Sequence, residues 1–243
     1  MDNNIKRGLL VGCGSLALGM AAHASPVTID EAAAEVARTR APNFLVVLAD
    51  DLGYTDVGSY GSEINTPNLD RLAGEGVRFS NYHTSPSCAP SRAMLLTGVD
   101  NHTAGVPNIP EALPPEQREF DNYDGVLGTN VATVASLLQS EGYHTYMTGK
   151  WHLGKSNSTL PYFRGFERTL SMGDTGADNW EHRPYAPNYD DAHWYRDGEP
   201  VRLDEPFYRS ELLGDEMIED IGSNLPTGRP FFGFVSFLAV HIP

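Results

Sequence analysis

Four short stretches of the 243-residue sequence carry residues able to do hydrolytic chemistry. In Ser87-Cys88-Ala89-Pro90-Ser91-Arg92-Ala93-Met94-Leu95-Leu96-Thr97-Gly98, a cysteine stands at the mouth of an expected helix, four residues before an arginine. Pro90 suits the first helical turn, where its missing N–H costs nothing, and Gly98 suits the residue just past the end. Backbone N–H groups and the helix dipole then favour a thiolate or a bound oxyanion at Cys88, and Arg92 adds positive charge one turn on. Taken in isolation, a cysteine here is more often a buried structural residue.

Asp50-Asp51 directly follows the apolar run NFLVVLA. Adjacent carboxylates repel unless a cation or a proton neutralises them, and oxygen ligands of this kind suit Ca²⁺ or Mg²⁺. A turn with two solvated aspartates is the alternative. Gly149-Lys150-Trp151-His152-Leu153-Gly154 follows an expected strand ending at Thr148. Lys150 and His152 are two apart and project to one side of an extended chain. Lysine would hold an anion there while histidine trades protons near neutral pH. A solvated lysine beside a packing histidine would look the same. His241 closes the last apolar run, where a lone histidine is more often structural.

The elements that must position these residues alternate along the chain. Residues 43–49 form a continuous apolar run, as expected of a strand buried on both faces. A helix is expected over 67–75 and an alternating strand over 77–84. Residues 108–124 read as an excursion loop. A helix from Asn130 to Gly142 presents Val131, Val134, Leu137 and Leu138 on one face, and a strand follows over 143–148. Residues 155–209 lack periodicity and read as long loops around a site. Ser210 caps a third helix with Leu213, Met217 and Ile221 on its buried side, and 231–238 is a final buried strand. The alternation predicts an α/β fold with a mainly parallel central sheet and helices on both faces, where ligands lie beyond the carboxyl ends of the strands.

Seventeen basic against 32 acidic residues give a net charge of −15, a poor match for nucleic acid or an anionic membrane. Cys13 and Cys88 alone provide no disulfide framework. Residues 1–24 have the form of a secretory signal: Lys6 and Arg7, an apolar run too short to span a membrane, and Ala22-His23-Ala24 for cleavage. Leu10-Val11-Gly12-Cys13 has the form of a lipoprotein box, an alternative route out of the cytoplasm. Either implies a secreted or periplasmic protein. Residues 25–42 form a lead-in, with a capping box at Thr28-Ile29-Asp30-Glu31 and a short helix to Arg38. The principal domain is expected over 43–243.

The Cys-x-Pro-Ser-Arg pattern with Leu-Leu-Thr-Gly resembles the signature of type I sulfatases, of the alkaline-phosphatase-like superfamily. LADDLGYTDVGSYG, Gly149–Gly154, Arg164-Gly165-Phe166-Glu167 and His241-Ile242-Pro243 resemble further segments of that family in order, and Gly98-Val99-Asp100-Asn101-His102 resembles bacterial arylsulfatases. The resemblance implies that Cys88 becomes formylglycine through a dedicated generating system. It implies that Asp50, Asp51 and the modified Cys88 bind Ca²⁺ (or Mg²⁺), and that Arg92 holds the formylglycine. Lys150 and His241 would bind a small-molecule sulfate ester, and His152 would accept a proton from the formylglycine hydroxyl. The family takes two further metal ligands and a lysine from sequence beyond His-x-Pro. This chain therefore reads as the N-terminal portion of a longer enzyme, with a sheet incomplete at the C-terminus, and residues 25–243 alone are expected to be poorly folded or inactive. Three other readings stay open: a phosphate or phosphonate monoester hydrolase, a cysteine hydrolase pairing Cys88 with His152, and an inactive secreted fragment.

Overall fold

The computed structural model describes residues 41–121, 123–187 and 189–241. The leader over 1–24, the Cys13 box and the helix expected to Arg38 lie outside them. Among the described residues six strands form one sheet: β1 (Phe44–Leu48), β2 (His144–Lys150), β3 (Arg168–Met172), β4 (Trp194–Arg196), β5 (Glu199–Val201) and β6 (Phe231–Ser236). Their spatial order is β1-β6-β2-β3-β4-β5. The first four run parallel, and β4 and β5 pair antiparallel at the far edge. The helices are α1 (Pro67–Glu75), α2 (Cys88–Thr97), α3 (Val134–Ser140) and α4 (Arg209–Asn224).

Strand alternation sorts the core into two layers. Phe232 and Phe234 of β6 join Met147 of β2, Ala89, Ala93 and Leu96 of α2, and Ala135 of α3. Phe231 and Val235 turn to the opposite face and meet Tyr146 of β2 and Met217 of α4. The expected α/β sheet with a helical layer on each face is what forms.

Several local expectations differ. β1 is an edge strand: Phe44, Leu45 and Val47 are 42%, 52% and 56% exposed, because β6 covers one side and no described element covers the other. Residues 77–84 form no strand, and Val77, Phe79 and Tyr82 are exposed, since alternation without a partner strand makes no ladder. Residues 155–209, expected as loops, contain β3, β4 and β5. β3 exists through its pairing with β2, a tertiary condition that its mixed sequence does not announce. The β4–β5 hairpin turns through Asp197 (φ 49°) and Gly198 (φ 84°), the two positive dihedrals that a tight hairpin turn requires. The helix expected from Asn130 starts at Val134, because the Thr133 hydroxyl accepts from the Ser136 N–H at 3.1 Å and caps it there; Leu137 faces solvent.

Two tests follow from the packing. Gly149 has φ +102°, and a Cβ on it would lie 1.9 Å from the Ser236 carbonyl oxygen on β6. Gly149→Ala must both strain the backbone and part β2 from β6, so it is expected to cost at least about 3 kcal/mol in urea unfolding. Asp220 of α4 is buried against Arg168, 2.9 Å away, and burial pushes its carboxyl up to about 6 despite that cation. The folded state therefore holds a proton that the unfolded chain releases near pH 4, and stability falls as pH rises from about 4 to about 6. Asp220→Asn is expected to be more stable than the parent by about 2 kcal/mol at pH 7. The two proteins should converge below pH 4 in denaturation curves.

Candidate active site

The site forms where β1, β6 and β2 end. Hydrogen bonds from Phe237 N–H to Leu48 O (2.9 Å), Asp50 N–H to Ala239 O (3.0 Å) and Val240 N–H to Asp50 O (2.9 Å) carry the β1–β6 pairing past both strands. Asp50 and Asp51 thereby come beside His241. Lys150 is the last residue of β2, on the other side of β6, and its ammonium donates to Asp50 Oδ2 at 2.6 Å. Arg92, one turn into α2, donates to Asp50 Oδ1 at 3.1 Å, to Lys150 O at 2.8 Å, and to Ser236 Oγ. Asp50, Arg92 and Lys150 are all essentially buried. Burial opposes the Asp50 charge, but the two cations and the more distant His241 hold its carboxyl below the usual range.

Cys88 is the first residue of α2 and half-buried, with Sγ 3.3 Å from His152 Nδ1. The other ring nitrogen, Nε2, lies 3.0 Å from Glu111 Oε2. Burial would raise the Cys88 thiol, yet the His152 hydrogen bond and the Lys150 charge bring it below the usual range. Burial likewise opposes charge on His152, and the contacts with Cys88 and Glu111 outweigh it, raising the imidazole. The chain leaves extended conformation at His152 (φ 55°); the Lys150 ammonium reaches Asp50 and the His152 imidazole reaches Cys88.

All seven residues singled out in the sequence, Asp50, Asp51, Cys88, Arg92, Lys150, His152 and His241, lie at this end of the sheet. Lys150 is fully buried and Arg92 nearly so, with their polar atoms turned to the protein. Asp51 is the exposed member: its side chain is 63% accessible, with Oδ2 3.6 Å from His241 Nε2. Sequence reasoning missed Glu111, in the short 3-10 turn Pro110–Ala112, and the loop residues that support it. It also missed Tyr185, whose ring meets His241 edge-on at 5.2 Å between centroids. A lone glutamate in an acidic loop gives no spacing signal.

Donor chemistry at Asp50 and Asp51 fits a hard divalent cation, since both offer carboxylate oxygen. Their number does not complete a shell: among the described residues no group of three or more His, Cys, Asp or Glu is arranged to hold a metal ion. Asp50 also balances two buried cations. Asp50→Asn leaves Arg92 and Lys150 uncompensated and is expected to cost about 3–5 kcal/mol in chemical denaturation. Asp51→Asn, exposed and tolerant of its positive φ, should stay within about 0.5 kcal/mol of the parent.

The sulfatase family model matches residues 42–243. An uncharacterized sulfatase of Schizosaccharomyces pombe is 37% identical over 220 residues, covering 85% of this chain and 39% of that protein. The arylsulfatase of Klebsiella aerogenes is 37% identical over 212 residues, covering 86% and 45%. Among solved structures, Ps i-CgsB in complex with k-i-k-neocarrahexaose is 30% identical with a TM-score of 0.69, covering 83% and 46%. The chain thus spans less than half the length of these relatives. With the family matched across almost all the described residues, the chain belongs to the sulfatase family.

Proposed function

We propose that this chain carries the nucleophile-bearing part of a sulfate monoester hydrolase of the arylsulfatase kind, acting through formylglycine made from Cys88. The observation that carries the reading is the placement of Cys88 at the start of α2, 3.3 Å from His152 and next to the Asp50–Arg92–Lys150 cluster. Residue 88 needs a proton acceptor, and His152 Nδ1 is in reach. A sulfate ester needs neutralisation of its charge. Two cations balanced by one carboxylate leave an excess of one positive charge beside residue 88, and the α2 N-terminus adds its dipole.

The site fits a formylglycine: side-chain atoms at Cβ of residue 88 face an imidazole and not a packed wall. As its hydrate, that group supplies a hydroxyl nucleophile and a second hydroxyl whose deprotonation releases sulfate, avoiding a stable S-sulfonate. His152 holds or takes the proton at residue 88, and Glu111 lies on the opposite ring nitrogen. Arg92 and Lys150 supply fixed positive charge from beneath the site. His241, turned toward Asp51, would meet the ester from the far side. Asp50, Asp51 and the modified residue 88 would supply oxygens to a Ca²⁺ ion; bound, the ion would add charge stabilisation. A small ester is the reading favoured by the net charge of −15. The leader would deliver the protein out of the cytoplasm.

A second reading has one observation in its favour. A lowered Cys88 thiol against a raised His152 also describes a thiolate–imidazolium pair, the resting state of a cysteine hydrolase. Mass spectrometry of the Cys88 peptide from active protein is expected to show an aldehyde in place of CH₂SH. Turnover of a chromogenic aryl sulfate should exceed that of the matching aryl phosphonate and survive thiol alkylation. An unmodified cysteine in fully active protein, or loss of turnover on alkylation, would favour the thiolate reading.

A further inference from the structure

We infer that Glu111 is the positioning residue of this site: its carboxylate fixes the ring of His152 so that Nδ1 faces residue 88. The inference rests on the reading of Cys88 and His152 as the reacting pair. An imidazole can flip its ring and move its proton between two nitrogens, and only one arrangement leaves a lone pair toward residue 88. Glu111 Oε2 lies 3.0 Å from Nε2, and a carboxylate can only accept. Nε2 therefore carries a proton, and Nδ1, 3.3 Å from Cys88 Sγ, is left to serve residue 88. The order nucleophile, imidazole, carboxylate matches that of hydrolytic triads, with the ring turned end for end.

Glu111 is itself held. The Tyr189 hydroxyl donates to Glu111 Oε1 at 3.1 Å. The Lys155 ammonium sits 3.8 Å from the centre of the Tyr189 ring and donates to Asp174 Oδ1 at 2.9 Å. Asp174 is wholly buried and accepts the His193 backbone N–H at 2.6 Å. Two loops remote in sequence, 108–119 and 174–193, thus meet at one carboxylate behind the imidazole. His152 is fully buried, so no solvent exchange offers its ring an alternative partner. The Glu111 side chain is only 14% exposed. A carboxylate that merely anchored its loop would have no need to spend one oxygen on the imidazole and the other on a supported tyrosine.

The test uses the natural full-length protein, with conversion of residue 88 checked by mass spectrometry in each variant. Glu111→Ala, Glu111→Gln and Glu111→Asp are compared with the parent on 4-nitrophenyl sulfate. Glu111→Ala is expected to lower kcat about 10–100-fold with KM changed no more than about twofold, because the group acts through the imidazole and not on the ester. Glu111→Asp should recover part of kcat. Gln keeps an accepting carbonyl without the charge and should lie between Ala and the parent. The ¹⁵N-labelled ring supplies an independent readout. A protected low-field Nε2–H signal, absent from His152→Gln, should persist in Glu111→Gln and vanish in Glu111→Ala. If the parent turns over no sulfate ester but the ring signal behaves in this way, the proposed function falls and the positioning role stands. An unchanged ring signal in Glu111→Ala overturns the inference. So does a parental kcat, or a loss shared equally by KM and thermal stability.

Discussion

The structure of this site depends on one buried carboxylate. Asp50 accepts Arg92 on one oxygen and Lys150 on the other, and all three side chains are withdrawn from water. Ions so placed are tolerable only when each has a counterion and its hydrogen bonds are met. The pairing therefore stitches together the end of β1, the first turns of α2 and the end of β2, with Ser236 of β6 taking a further bond from Arg92. Moving any one of these elements would strand a charge. The cluster also sets the electrostatics next door. Lys150 of this cluster adds to the His152 hydrogen bond in holding the Cys88 thiol below its usual range against burial.

The sheet brings those elements into one place through a constraint of parallel topology. Parallel strands all deliver their following loops to the same edge, so Asp50-Asp51, His241 and Lys150-Trp151-His152 emerge side by side although they are far apart in sequence. Gly149 permits the close approach: β2 and β6 can lie in register at this edge only where no Cβ meets the Ser236 carbonyl. The helical layers do the rest. α2 packs its small residues Ala89 and Ala93 against Phe232 and Phe234, and that packing aims its first turn over the strand ends.

Around this rigid floor the wall of the site is built from loops. The segment from Asp174 to His193 places Tyr185 against His241 and the Tyr189 hydroxyl on Glu111, the carboxylate behind His152. Loops of this kind vary readily while a scaffold stays fixed.

Much of this was legible in the sequence. The seven residues at the strand ends were recognisable because their motifs are local: a helix-opening Cys-x-Pro-Ser-Arg, a carboxylate pair after an apolar run, a Lys-x-His after a strand. The layered α/β architecture followed from alternating periodicities. What local pattern could not supply was partnership. Whether an apolar run is a central strand or an edge depends on what lies beside it, which is why β1 is exposed and 77–84 is no strand at all. β3 owes its existence to β2. Lys150 read as an anion ligand, and only the fold shows its ammonium buried on Asp50. Glu111 carried no signal, because its meaning comes from an imidazole 41 residues away in the chain and a tyrosine 78 residues away. Sequence determines which groups are present and how near neighbours are arranged. Only tertiary structure decides which distant charges share a desolvated space, because the cost of an unpaired buried charge is felt after the chain has closed around it.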